Sequence, residues 1–191
     1  ATAIVTPMTP SGIDYDTLGK FIEFQIENGI NALVVMGTTG ENATIDPADQ
    51  QKVIRFTVQK VAHRVPVIAG TGTNCTDHVL AQTKAACEAG VDGVLVVTPY
   101  YNKATQKGLI AHFTAIADAS TVPVILYNVP GRTGCNLLPR TAAELAKHPN
   151  IVGIKEASGS MAQMVQLRAL CGDDLPIYSG EDALTVPMMS M

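Results

Sequence analysis

Apolar residues fall along this chain in short unbroken runs, separated by longer stretches in which they are spaced out. The runs predict seven strands, at 3–5, 32–36, 65–69, 93–97, 122–127, 151–155 and 175–178. Most are continuous Val/Ile/Leu segments, the pattern of strands buried on both faces of a parallel sheet. Between them apolar positions recur at three- and four-residue spacing, which predicts amphipathic helices. One is expected over 16–28, with Leu18, Phe21, Ile22 and Ile26 on one side, and another over 49–62, with Val53, Ile54, Val58 and Val61. Two more are expected over 76–89 and 108–119. Strands alternating with helices argue for repeated βαβ units.

The chain also echoes itself. The segment from Glu27 to Val35 (ENGINALVV) aligns with that from Glu88 to Val96 (EAGVDGVLV), each with a glycine where a helix would stop. Glycine takes the left-handed conformation of that position at little cost. Val65-Pro66-Val67-Ile68 returns as Val122-Pro123-Val124-Ile125. Such echoes point to modular construction, although small α/β units also converge on similar phrases. Seven βα modules read as an α/β (β/α)8 TIM barrel, a fold of typically ~250 residues. The expectation is one domain over 1–191, lacking the eighth βα unit and C-terminal helices and clipped at its N-terminus. Such a chain is expected not to close its barrel or fold stably alone. A doubly wound sheet with fewer strands is the other α/β option.

Composition narrows the function classes. The formal net charge is −4, with 47% hydrophobic and 16% charged residues, a globular balance with no basic footprint for nucleic acid. No apolar run approaches the ~20 residues of a membrane span. Cys75, Cys87, Cys135 and Cys171 lack CxxC spacing, which fits a reducing cytoplasm. His63, His78, His112 and His148 are scattered, so no metal site is expected.

In a parallel barrel the C-terminal strand ends share the face that carries chemistry. Here those ends read Gly37-Thr38-Thr39-Gly40-Glu41, Thr98-Pro99-Tyr100-Tyr101-Asn102, Tyr127-Asn128-Val129-Pro130-Gly131-Arg132, Lys155, and Ser179-Gly180-Glu181-Asp182. The first lacks the lysine of a phosphate loop. In Gly70-Thr71-Gly72-Thr73-Asn74-Cys75 a cysteine stands at the third glycine of a dinucleotide fingerprint, so both nucleotide readings fail. The GTTGE loop is either a plain tight turn or a cradle of hydroxyls and amides for a small carboxylate. Lys155 ends its strand on the side of Ile151 and Gly153, and Tyr127 ends the preceding strand in the same way. An amine in partly apolar surroundings has a lowered pKa and attacks carbonyls; the bland alternative is a snorkelling surface lysine. A phenol beside it could pass protons. Arg132 could grip a carboxylate bidentately, or be a loop cation paired with Glu41 or Glu156.

Together, Gly37–Glu41, Tyr100-Tyr101-Asn102-Lys103, the Tyr127–Gly134 run YNVPGRTG and the Gly153–Gly159 run GIKEASG resemble, in order and spacing, the signatures of the dihydrodipicolinate synthase family. That family belongs to the pyruvate-dependent class I aldolase and N-acetylneuraminate lyase superfamily. The resemblance implies a (β/α)8 barrel and condensation of pyruvate with L-aspartate 4-semialdehyde on the diaminopimelate route to lysine. Lys155 would form the Schiff base. Tyr127, Thr38 and Tyr101 would relay protons, Tyr101 reaching into a neighbouring subunit. Thr39 would hold the pyruvate carboxylate, Arg132 the semialdehyde carboxylate, and the Gly180 backbone would lie beside the substrates. No cofactor is implied, and the usual assembly is a homotetramer, a dimer of dimers. Asn74 and Tyr100 match the family's allosteric pocket for lysine, where His78 replaces a typical glutamate, so weak or absent lysine inhibition is expected. The rival readings are a N-acetylneuraminate lyase or keto-deoxy sugar acid aldolase, and a non-catalytic keto-acid-binding barrel.

Overall fold

The computed structural model describes residues 1–191, which pack as two compact units, Ala1–Thr71 with Gln82–Leu95, and Gly72–Ala81 with Val96–Met191. The first holds β1 (Thr2–Ala3), a small antiparallel hairpin of β2 (Met8–Thr9) and β3 (Gly12–Ile13), α1 (Tyr15–Glu27), β4 (Leu33–Val35), α2 (Pro47–Val61) and β5 (Val67–Gly70). Helix α3 (Thr76–Glu88) and strand β6 (Gly93–Val97) each run from one unit into the other. Strands β1, β4, β5 and β6 pair in that order, all parallel.

Local signals start the helices. Asp14 caps α1, accepting from the Thr17 amide at 2.9 Å and the Thr17 hydroxyl at 2.7 Å. Asp46 caps α2 with Pro47 at its first position, where a missing N–H costs nothing. The two helices meet through an edge-to-face contact of Tyr15 and Phe56, centroids 5.0 Å apart. Beneath them Leu18, Ile22, Leu33, Val53 and Ile54 are buried.

The second unit continues with α4 (Gln106–Ala119), β7 (Val124–Asn128), the single turn α5 (Pro130–Thr133), α6 (Pro139–Leu145), β8 (Ile151–Glu156), α7 (Met161–Cys171), β9 (Ile177–Ser179) and α8 (Thr185–Met189). Strands β7, β8 and β9 are consecutive parallel neighbours. Leu109, Phe113, Ile116, Leu126, Leu137, Leu145, Ile154 and Leu167 form the core.

All seven expected strands are present, with ends displaced by proline. The runs at 65, 122 and 175 each begin two residues before β5, β7 and β9, because Pro66, Pro123 and Pro176 have no amide to donate. Their carbonyls are still used: Leu33 N donates to Pro66 O and Ile154 N to Pro176 O, both at 2.9 Å. The β2–β3 hairpin, the single turn α5, and helices α6 and α7 were not expected.

One irregularity sets up the site. Val124 stands opposite Ile151 but Ile125 stands opposite Gly153, so Val152 is an extra residue, pushed outward and exposed. From there the register runs unbroken, Leu126 beside Ile154, Tyr127 beside Lys155 and Asn128 beside Glu156.

Phe113 is fully buried on α4. Phe113→Ala is expected to lower unfolding free energy by about 3–5 kcal/mol, through lost burial and the cavity left behind. Denaturant titration checks this as a lowered midpoint at unchanged slope; a loss below about 1 kcal/mol would mean the core refills the gap.

Candidate active site at the ends of β7 and β8

Parallel pairing places residues of equal register side by side, with alternate side chains on opposite faces. Tyr127 and Lys155 are such a pair, and Asn128 and Glu156 are the next. The two pairs therefore face opposite ways.

On the first face, the Lys155 ammonium nitrogen lies 4.6 Å from the centre of the Tyr127 ring. Tyr127 is buried and Lys155 partly so. Burial pulls the Lys155 amine below the ordinary lysine value, while the Asp182 carboxylate, just beyond β9, pulls the other way more weakly. A lysine poised this way keeps a larger share of free amine at neutral pH than a surface lysine does. Tyr178 is the register neighbour of Lys155 on β9.

Gly180 leaves room for the amine. Its N–H donates to Glu156 O at 2.8 Å, and a Cβ there would stand 2.7 Å from the Ala157 Cβ and 3.1 Å from the Lys155 Cε. Any side chain at 180 would press on the Lys155 stem. Arg132 sits on α5, one turn beyond β7, exposed and without a carboxylate partner in this unit. Glu156, one of the partners considered for it, is fully buried and bonded elsewhere.

The second face was missed by sequence reasoning. Glu156 accepts from the Ser158 amide at 2.6 Å, Asn128 Nδ2 at 3.0 Å and Gln163 Nε2 at 3.1 Å. Asn128 Nδ2 also donates to Asn136 Oδ1 at 2.8 Å, and its Oδ1 accepts from Leu137 N at 2.9 Å. Asn136 Nδ2 closes the network on Gln163 Oε1 at 2.9 Å. The available signal was parity: Asn and Glu follow Tyr and Lys at strand ends that pair.

The remaining expected residues fall into separate groups. Tyr101 is 88% exposed and adopts φ +71, a left-handed backbone uncommon for tyrosine, with its N–H donating to Thr133 O at 3.1 Å. Asn102 ties two loops of the same unit, its side-chain amide donating to Asn74 O at 3.0 Å and its backbone N–H to Tyr100 O at 2.8 Å. His78 is exposed in the first turn of α3. Thr38 and Thr39 belong to the first unit, exposed on a 3-10 turn (Thr38–Gly40) between Met36 (φ +54) and Glu41 (φ +59). The turn is fastened where the Thr6 hydroxyl donates to Gly40 O at 2.8 Å.

The lowered Lys155 value has a stability consequence. Between the folded and unfolded values the unfolded chain holds the extra proton, so stability rises with pH across that window. The cost of the buried cation is fully present below the folded value and gone above about 10.4. Lys155→Met is therefore expected to melt above the parent at pH 7, the gap closing as pH approaches that of ordinary lysine. Thermal melts at several pH values check this; an equal or lower melt at pH 7 contradicts it.

The Dihydrodipicolinate synthetase family profile matches residues 1–191. The 4-hydroxy-tetrahydrodipicolinate synthase of Geobacter sulfurreducens is 55% identical over 188 residues, covering 98% of this chain and 65% of the relative. Among solved structures, dihydrodipicolinate synthase from Aquifex aeolicus superposes with a TM-score of 0.97 at 43% identity, over 99% of this chain and 65% of that one. The chloride-inhibited enzyme from Acinetobacter baumannii, solved with pyruvate, gives 0.95 at 46% identity, over 98% of this chain and 65% of that one. The chain thus spans just under two thirds of the length of these relatives. On the match of the family profile along its whole length, this chain belongs to the dihydrodipicolinate synthetase family.

Proposed function

We propose that the protein is a Schiff-base synthase condensing pyruvate with L-aspartate 4-semialdehyde, the activity of a 4-hydroxy-tetrahydrodipicolinate synthase in lysine biosynthesis. The observation that carries this reading is the partly buried amine of Lys155, lowered in pKa and set 4.6 Å from the Tyr127 ring centre. The name of its relative and the pyruvate found in the Acinetobacter structure support it.

In this reading the free amine attacks the pyruvate C2 carbonyl. Loss of water gives the protonated imine, which draws electrons from C3; removal of a C3 proton leaves an enamine. The enamine carbon then bonds to the aldehyde carbon of the second substrate, whose oxygen takes up a proton. The lysine supplies the electron sink, so the reaction calls for no metal or organic cofactor. Tyr127 passes protons to the oxygen on C2 as it leaves as water, in a relay with Thr38 and with Tyr101 from a neighbouring subunit. The exposure of Tyr101 on its left-handed backbone suits a residue presented outward. Thr39 holds the pyruvate carboxylate, the Gly180 backbone flanks the substrates, and Arg132 takes the semialdehyde carboxylate.

The fold that goes with this activity is one (β/α)8 barrel domain in a cytoplasmic homotetramer, a dimer of dimers. Asn74, His78 and Tyr100 would line the allosteric pocket. With histidine in place of a carboxylate, lysine would be held weakly there for want of a charge-assisted hydrogen bond.

Incubating the complete protein with pyruvate and borohydride is expected to leave reduced pyruvate on the peptide bearing Lys155, and Lys155→Ala should leave none. Tyr127→Phe should lower turnover by ~10²–10⁴. Arg132→Ala should still trap pyruvate while raising KM for the semialdehyde about ten- to hundredfold. Pyruvate bound without covalent capture would replace the synthase reading with that of a keto-acid-binding protein. Turnover of N-acetylmannosamine in preference to the semialdehyde would favour the lyase.

A further inference from the structure

Directly behind the reactive pair lies a closed polar network that the proposed reaction does not use. Glu156 is fully buried, as is Asn128, and no lysine or arginine pairs with either. Every contact to the carboxylate comes from an N–H: Ser158 N and Asn128 Nδ2 on Oε1, Asn128 Nδ2 and Gln163 Nε2 on Oε2. Both side-chain donors are themselves fixed, Asn128 by Asn136 and Leu137, and Gln163 by Asn136. Asn128 and Glu156 occupy adjacent strands at matching register, immediately after Tyr127 and Lys155.

We propose that Glu156 is a positioning residue for the Lys155–Tyr127 site, its buried carboxylate clamping the ends of β7 and β8 so that the amine stays against the phenol ring. The reasoning is mechanical. A parallel pair is free to fray at its end, and one peptide of slippage would carry Lys155 to the other face. The Glu156–Asn128 bond crosses between the strands one residue beyond the reacting pair. The bond from Ser158 N shapes the turn leaving β8, while Glu156 O accepts from Gly180 and Asn128 O accepts from Ala157, both at 2.8 Å. One residue thus joins β7, β8, α7 and the turn after β9, the elements around the Lys155 stem. That this positioning serves imine formation rests on the synthase reading above; the clamp itself does not.

Glu156→Gln is a sharp probe. Either orientation of the new amide sets an NH2 against N–H donors, and no partner atom of the carboxylate can accept in exchange. The groups facing Lys155 are Tyr127 on β7, Tyr178 on β9 and Asp182 beyond it, and Asp182 is the charged one. If the clamp positions Lys155, loosening it lets the amine reach water. If Glu156 acts only as a nearby negative charge, its removal disfavours the ammonium and moves titration the other way.

The test is competitive acetylation of the complete protein across pH, with Lys155 labelling read by peptide mass spectrometry, beside pyruvate trapping and a thermal melt. For Glu156→Gln the labelling midpoint of Lys155 is expected to rise toward that of ordinary lysine. Trapping at pH 7 should slow at least tenfold and partly recover at higher pH. Should that variant fail to fold, Gln163→Met removes one donor and is expected to shift the midpoint in the same direction by less. Val53→Ala, a core truncation in the other unit, should lower the melt and leave the midpoint in place. A midpoint unchanged or lowered in the folded variant overturns the proposal. Absence of trapping in the parent would sink the synthase reading alone, since the labelling midpoint is measured without pyruvate.

Discussion

The parallel register between β7 and β8 is the constraint on which the site depends. Pairing begins Val124 beside Ile151, gives way at Val152, and resumes Ile125 beside Gly153. Were Val152 to take a place in the ladder instead of bulging from it, Tyr127 would stand beside Ile154, and the phenol and amine would no longer be register partners. Beyond the bulge, two rows of opposite character run in step. Tyr127 and Lys155 make a row in which an amine stands against an aromatic ring, and Asn128 and Glu156 make a row tied by hydrogen bonds to Asn136 and Gln163.

Those rows divide labour in a way that follows from the cost of burying polar groups. A buried carboxylate with neutral N–H partners on both oxygens is tolerable, and its rigidity is shared with every donor that holds it. A partly buried lysine facing an aromatic ring is less well served, since its ammonium has lost water and gained one weak carboxylate influence. Stability given up at Lys155 is the kind of local cost expected where a group is kept reactive. The room beside it depends on Gly180, where any Cβ would crowd the lysine stem.

Much of this was legible in the sequence. Continuous Val/Ile/Leu runs marked the strands, and prolines moved only their first residues, by denying an amide rather than by changing the apolar pattern. The alternation rule put Lys155 on the side of Gly153, and the register agrees; Ile151, grouped with them, pairs instead with Val124, out of phase across the bulge at Val152. Helix α7 escaped because its apolar residues are not confined to one face: Met164, Leu167 and Cys171 are buried, whereas Val165 and Leu170 are about half exposed. Helix α6 is only two turns long, and the β2–β3 hairpin has two residues per strand, too short for periodicity to register. Glu156 and Asn128 read as polar exits from their strands; that they are buried depends on Asn136 and Gln163, residues 8 and 7 positions further along, folding back to meet them.

The central claim is that Lys155 is a nucleophile held in place rather than a lysine marking a strand's exit to water. A crystal structure of the complete protein soaked with pyruvate tests this most directly. The account predicts continuous density from the Lys155 Nζ to the pyruvate C2, with the Tyr127 hydroxyl turned toward the new bond. Pyruvate held intact and apart from Nζ, or covalently attached to another lysine, would contradict it.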